Sequence, residues 1–179
     1  MNMAAETKYR FFIQQYKNKI FTYSIYMLKN RMDAEDVTQE VLIKIWKNIE
    51  GVNVLSAKTW IMKSTHNLCI DVLRKRAIDT KREVCIDEYF EETFEGNNTE
   101  NDPYNKFQIN VMSQRIKEAV QKLPENLKSV FVLYEIQNLR YKEISKTLDI
   151  PLNSVKVYLL RARKKLQEDL KRNELREVV

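Results

Sequence analysis

The chain is predicted to be all-α: two small helical domains joined by an acidic linker. Three observations carry the prediction. First, only two glycines and three prolines occur in 179 residues, and 31% of residues are charged; this favours helices over strands and turns. Second, apolar residues recur at steps of three and four along both ends of the chain. Third, charge is blocked. Residues 1–78 hold 13 Lys/Arg against 7 Asp/Glu (+6), residues 79–110 hold 3 against 9 (−6), and residues 111–179 hold 15 against 9 (+6). Such basic blocks suit a polyanion, although solubilising charge looks the same. The length allows one ordinary domain or two small ones. The boundaries read as 1–78, 79–109 and 110–179.

The first helix is expected from about Lys8 to Asn30, with Tyr9, Phe12, Ile13, Tyr16, Ile20, Tyr23 and Met27 as its apolar stripe. Arg31 to Asp33 breaks the chain, and Asp33 can cap the next helix. That second helix, Ala34 to Ile49, places Val37, Val41, Ile45 and Ile49 on one side. Gly51 to Ser56 is a loop. The third helix, from about Ala57 to Arg76, buries Ile61, Thr65, Leu68 and Val72. Three such helices make a core near the smallest that folds unaided.

Between Ile78 and Asn105 the periodicity fails. The segment DEYFEETFEGNNTENDP is acidic and broken by Gly96-Asn97-Asn98 and Asp102-Pro103. It reads as a linker, with Tyr89, Phe90 and Phe94 setting it apart from an inert spacer. A second unit begins near Asn110, with Met112, Ile116, Ala119, Val120 and Leu123 in one stripe. Pro124 then opens a helix at its favoured early position, with Leu127, Val130, Phe131 and Tyr134 inside.

The segment YKEISKTLDIPLNSVKVYLLRARKKL, Tyr141 to Leu166, is the most informative. Ile144 and Leu148, then Val155, Leu159, Ala162 and Leu166, keep helical spacing on either side of Asp149-Ile150-Pro151. Proline stops the first helix, because it restricts the residue before it and lacks an amide proton. Asn153 or Ser154 can cap the second. Ser145 is small where the helices approach, and Val155 would plug the second helix onto the first. Asp149 occupies the turn position, where left-handed backbone is tolerated by Asp better than by most residues. This is helix-turn-helix spacing, in which the second helix enters the major groove. Its outer face carries Ser154, Lys156, Val157, Leu160, Arg161 and Lys164. Arginine can bond guanine bidentately, and valine or leucine can touch a thymine methyl. An ordinary helical hairpin with a solvated basic face fits the same pattern.

Two further faces are chemically distinctive. On the second helix Asp36, Gln39, Glu40, Ile43, Lys44 and Lys47 share one side. An apolar residue among acids, an amide and lysines suits a protein partner, or simply solvent. On the third helix Lys63, His66, Asn67, Ile70, Asp71 and Arg74 lie opposite the core stripe, with Lys58 and Trp60 at its start. Cations beside an aromatic and amides suit single-stranded DNA, where bases stack and phosphates pair with charge. Trp60 is equally open to core packing, and His66 is expected exposed, near phosphate at most.

Other chemistry is poorly served. Cys69 and Cys85 are too few and isolated for a zinc site or a disulfide framework, and Cys69 should pack as a small hydrophobe. One histidine leaves neither metal nor histidine-based catalysis a partner, so no enzyme, metal or cofactor is expected. Asp33, Glu35 and Asp36 could be read as a nuclease's metal-binding carboxylates, but Asp33 and Glu35 equally suit a helix N-terminus. The start MNMAAETKYR lacks the apolar run of a signal peptide, and no stretch approaches a membrane span. A reduced, cytoplasmic setting is expected.

Taken together, DAEDVTQEVLIKIW, WIMKSTHNLCIDVLRKR and LPENLKSVFVLYEIQNLRYKEISKTLDIPLNSVKVYLLRARKKL, in this order around an acidic linker, resemble the sigma-70 family. The resemblance is to the small extracytoplasmic-function sigma factors of bacterial RNA polymerase. It implies that residues 1–78 form sigma region 2, with a polymerase-binding helix and a −10 promoter helix, and residues 110–179 form sigma region 4, which reads the −35 element. By this resemblance Asp36, Gln39, Glu40, Ile43 and Lys44 dock on the clamp helices of the largest polymerase subunit. Lys58, Trp60, Lys63, His66, Asn67, Asp71 and Arg74 take the melted −10 strand, helped by the loop Gly51 to Lys58 in capturing a flipped base. Ser154, Lys156, Val157, Leu160, Arg161 and Lys164 face the −35 duplex, while Arg163 and Lys165 meet phosphate or solvent. The linker threads towards the polymerase active centre and RNA exit channel. The expected partners are core RNA polymerase, promoter DNA and, commonly in this group, an anti-sigma factor, with no membrane insertion. His66 stands where the family often has arginine, and Tyr158 and Leu160 also depart from several relatives. The competing expectation is a stand-alone helix-turn-helix regulator.

Overall fold

The computed structural model describes residues 3–79 and 114–177. The expected linker, with Cys85, Tyr89, Phe90 and Phe94, and the start of the second stripe at Met112 lie outside the described residues. The helices are, in order, α1 (Met3–Leu28), α2 (Arg31–Lys47), α3 (Val54–Asp79), α4 (114–121), α5 (Glu125–Phe131), α6 (Tyr141–Leu148) and α7 (Leu152–Glu177). α5 continues into one π-helical turn, Val132–Ile136. There is no strand among the described residues.

The expected helices are present, and their ends differ for local reasons. α2 begins at Arg31 because Asn30, not Asp33, is its cap: the Asn30 side chain accepts from the Asp33 amide at 3.0 Å. Lys29 takes left-handed backbone, φ 55°, so the chain reverses between α1 and α2 in two residues. Asp33 falls in the first turn of α2, where a carboxylate suits the positive helix end, and pairs with Arg76 from the far end of α3. Arg76 also donates to the Leu28 carbonyl at 2.7 Å, joining the ends of the three N-terminal helices. At the start of α3, Asn53 Oδ1 accepts from the Leu55 amide at 2.9 Å, which lengthens the helix towards the loop. At the start of α7 the first turn closes on Pro151, whose carbonyl accepts from the Val155 amide at 3.2 Å. Asn153 and Ser154 therefore sit inside the helix, and neither is its cap.

The apolar stripes sort as expected, with exceptions. Val37, Val41, Ile45 and Ile49 are buried, as are Ile144, Val155, Leu159, Ala162 and Leu166. On α3 the buried line is Ala57, Ile61, Met62, Thr65 and Cys69, while Leu68 and Val72 are half-buried. Ile116, expected inside, is 41% exposed. Cys69 packs as a small buried hydrophobe, and burial pushes its thiol up to about 12, which leaves it unreactive.

The two halves do not stand apart. Their buried residues form one continuous apolar cluster, from Phe12 in α1 to Leu166 in α7. α6 lies along α3, and α5 with its π turn meets α1. Polar contacts mark the seam. Gln137 donates to the Lys19 carbonyl at 3.1 Å, and Lys58 donates to the Asn138 carbonyl at 3.0 Å. Lys63 Nζ lies 2.6 Å from Asp149 Oδ2. The seam also has a cost: Lys128 is nearly buried, and burial followed by the neighbouring Lys29 charge lowers its pKa to about 8.

His66 differs from its expected exposed position. It is half-buried and hydrogen-bonded through Nδ1 to the hydroxyl of Tyr23, at 2.8 Å. Tyr23 is fully buried. Burial lowers the His66 pKa to about 4, so the ring stays neutral in the fold under conditions that protonate it in the unfolded chain. The unfolded chain then binds the extra proton, and stability falls as pH drops from 6.5 towards 4. The full effect is on the order of 3 kcal/mol. Urea denaturation at pH 7 and pH 5 should show a smaller acid loss in His66→Gln than in the unmodified chain. A second prediction contrasts neighbours on α7. Leu159 is 2% exposed and Leu160 is 69% exposed. Leu159→Ala should cost about 2–5 kcal/mol and Leu160→Ala no more than about 0.5 kcal/mol, read from the same denaturation curves.

Candidate nucleic-acid interface

The helix-turn-helix is built as its spacing requires. Glu143 accepts from the Arg140 amide at 2.7 Å and so caps the start of α6. Asp149 ends α6 in left-handed backbone, φ 53° and ψ 42°, with its amide donating to the Ser145 carbonyl. The Ser145 hydroxyl donates to the Ile150 carbonyl at 2.6 Å, tying the turn back to the helix. Fully buried Val155 fixes α7 against this frame. The opposite side of α7 is left to solvent: Lys156, Arg161 and Lys164 are exposed, Val157 is 43% exposed and Leu160 is 69% exposed. Ser154 is only half-buried at the edge of this face. Three cations around two apolar side chains can contact phosphates, guanine edges and thymine methyls together.

Arg163 does not join that face, contrary to the expected phosphate or solvent contact. It donates twice to Glu135 Oε1, at 2.9 and 2.6 Å, and lies 5.5 Å from the Tyr134 ring centroid. Tyr134 in turn stacks on Tyr141 at 5.0 Å. Arg163 thus braces α7 against the π-helical turn, while Lys165 is exposed.

On α2, Asp36, Gln39 and Glu40 are exposed, Ile43 is 51% exposed, and Lys44 pairs with Glu40 at 3.3 Å. Sequence reasoning missed Trp46, which is 40% exposed beside Ile43 and packs edge-on against Tyr9 with centroids 5.0 Å apart. The i, i+3 spacing from Ile43 was the available signal. A wide aromatic beside an exposed isoleucine strengthens this face as a protein-binding surface.

On α3 the candidate residues divide. Asn67, Asp71 and Arg74 are exposed, with Arg74 3.6 Å from Asp71. Trp60 is half-buried against the core, so packing claims much of its ring. Lys58 and Lys63 are held by the second half of the chain, and His66 by Tyr23. Exposed Val54 and Leu55, at 51% and 94%, project from the start of the helix. Among the described residues, no three His, Cys, Asp or Glu side chains converge as a metal site would require. Asp33 and Glu35, weighed as nuclease carboxylates, are paired with Arg76 and Arg31. No helix among the described residues is long and apolar enough to cross a membrane.

Comparison with known proteins matches both halves of the chain. Residues 12–78 match the family model for sigma-70 region 2, and residues 113–166 match that for sigma-70 region 4. The chain is 32% identical over 163 residues to the ECF RNA polymerase sigma factor SigW of Bacillus subtilis, covering 87% of this chain and 85% of that protein. It is 25% identical over 158 residues to the ECF sigma factor SigE of Mycolicibacterium smegmatis, covering 88% of this chain and 60% of that longer protein. The fold resembles that of the sigma factor RpoE crystallised with the anti-sigma factor NepR from Bartonella quintana. The TM-score is 0.72 at 20% identity, covering 89% of this chain and 94% of that one. Agreement over both halves in one order does not favour a stand-alone helix-turn-helix regulator. The chain belongs to the extracytoplasmic-function sigma factors of the sigma-70 family, non-catalytic initiation factors that bind core RNA polymerase and direct it to promoter DNA.

Proposed function

We propose that the three faces divide the work of initiation in the cytoplasm, with polymerase supplying all the chemistry. The α2 face, Asp36, Gln39, Glu40, Ile43 and Lys44, docks on the clamp helices of the largest polymerase subunit, and Trp46 widens the contact. The outer side of α7 reads the −35 duplex: Arg161 bonds a base edge, Val157 and Leu160 pack on thymine methyls, and Lys156, Lys164 and Ser154 contact backbone. The α3 face takes the separated −10 strand, with Lys58, Lys63 and Arg74 on phosphates and Asn67 and Asp71 on an extruded base. Base extrusion costs a few kcal/mol of stacking, which pocket contacts must offset. Trp60 and His66 support this face from beneath, because both are partly withdrawn into the fold. An anti-sigma protein is the expected regulator, as in the complex that the RpoE–NepR structure contains.

The observation that carries this reading is the partition of α7. Val155, Leu159, Ala162 and Leu166 are no more than 7% exposed, while Lys156, Leu160, Arg161 and Lys164 between them face solvent. An exposed leucine and valine among cations suit base edges better than they suit water. The direct test is pull-down with core polymerase followed by promoter-dependent transcription; purified chain that neither binds core nor supports initiation would refute the reading.

Two substitutions refine it. Arg161→Ala should weaken −35 recognition by about 1–3 kcal/mol and relax base preference at one position, measured by holoenzyme footprinting on −35 variants. An unchanged footprint and promoter activity would contradict this assignment. Gln39→Ala with Glu40→Ala should lower affinity for core polymerase while leaving the melting curve in place, since both side chains are exposed. Normal holoenzyme assembly by the double variant would remove α2 from the docking assignment.

A further inference from the structure

Two of the cations assigned to the −10 strand are already occupied by the chain itself. Lys58 donates to the Asn138 carbonyl at 3.0 Å and lies 3.8 Å from Glu143 Oε2. Lys63 Nζ lies 2.6 Å from Asp149 Oδ2. Asn138 and Asp149 both take left-handed backbone, each with φ 53°, a conformation that costs free energy outside glycine. One such turn comes after the π-helical segment and directs a carbonyl at Lys58. The other is the turn of the helix-turn-helix and directs a carboxylate at Lys63. Oxygen acceptors set against ammonium groups reproduce what a phosphate backbone offers.

The covering is selective. α6 lies along α3 and engages Lys58 and Lys63, while Asn67, Asp71 and Arg74 further along α3 remain exposed. So do Gln39, Glu40 and Ile43 on α2, and Lys156, Leu160 and Arg161 on α7. Both ion pairs are partly exposed, with side-chain exposures of 26% and 31% for Lys58–Glu143 and 39% and 71% for Lys63–Asp149. Salt therefore screens them, and a polyanion can compete for the same lysines.

We propose that Asp149 and Glu143 form an intramolecular latch that holds α6 over the start of α3 and stands in for −10 strand phosphates. The closed chain presents its polymerase-docking and −35 faces and withholds the −10 face until α6 moves away. Docking thus precedes strand capture, and the free chain is restrained from gripping single-stranded DNA. The proposal rests on the assignment of the α3 face to the −10 strand.

The test uses the full chain carrying Asp149→Asn with Glu143→Gln. Asn tolerates the left-handed turn, and Gln keeps an acceptor for the Arg140 amide, so the helix-turn-helix is preserved. Glu50→Gln with Glu168→Gln, at two exposed positions outside the seam, makes the same change in net charge and serves as control. Small-angle X-ray scattering should show the latch variant extended at low salt, where the unmodified chain and the control remain compact. A short fluorescein-labelled single-stranded DNA should bind the latch variant severalfold more tightly than either, while transcription with saturating core polymerase stays unchanged. A latch variant as compact as the unmodified chain, or a control gaining equal affinity, overturns the latch. Extension without gain in affinity overturns the withholding role through its premise, the −10 assignment of α3, and leaves the reading of α2 and α7 untouched.

Discussion

α3 is packed from two directions at once, and the arrangement of the chain depends on this. α1 and α2 cover one side, and α6 lies along another. The first contact is apolar and nearly unbroken: Ala57, Ile61, Met62, Thr65 and Cys69 are at most 1% exposed. The second seam adds charge and backbone geometry, through Lys58, Lys63 and the turns at Asn138 and Asp149. A single helix is thus both the floor of the N-terminal core and the landing surface for the C-terminal half.

These two contacts differ in physical character. Burial of an aliphatic or aromatic side chain contributes about 1.5–3 kcal/mol, and the apolar cluster contains many, so it dominates stability. Partly exposed ion pairs contribute about 0–1 kcal/mol each, too little to hold a domain in place alone. They depend strongly on ionic strength and on competing anions, however, and they are directional. The cluster favours compactness, and the charges bias which surfaces meet. Lys128 beside Lys29 shows that the fit is not optimised for permanence, because two like charges are brought together at low exposure.

The same division runs through α7. Its inner residues bind it to α6, and its outer residues are left without apolar cover although two of them are Val157 and Leu160. Arg163, one residue from buried Ala162, bonds to Glu135 and fixes the helix axis. A reading helix works only if its axis is held while its outer side chains adapt to the base edges. The Arg163–Glu135 pair and the stacked Tyr134 and Tyr141 supply that hold.

Much of the fold is legible in the chain alone. Helical periodicity located α1, α2, α3 and the pair α6–α7, because an amphipathic helix writes its buried side into the sequence every three or four residues. The Asp149-Ile150-Pro151 break announced the turn, and Asp149 has the left-handed backbone expected there. The outer faces of α2 and α7 emerged by subtraction from their stripes. What tertiary structure alone decided was which polar residues would be claimed by other parts of the chain. His66 looked exposed on its helix and is bonded to Tyr23, 43 residues away. Lys58 and Lys63 looked available and are held by residues of α6 and its flanking turns. Periodicity describes one helix at a time, whereas these contacts depend on how separate helices meet. No local pattern encodes the neighbour that a distant segment brings.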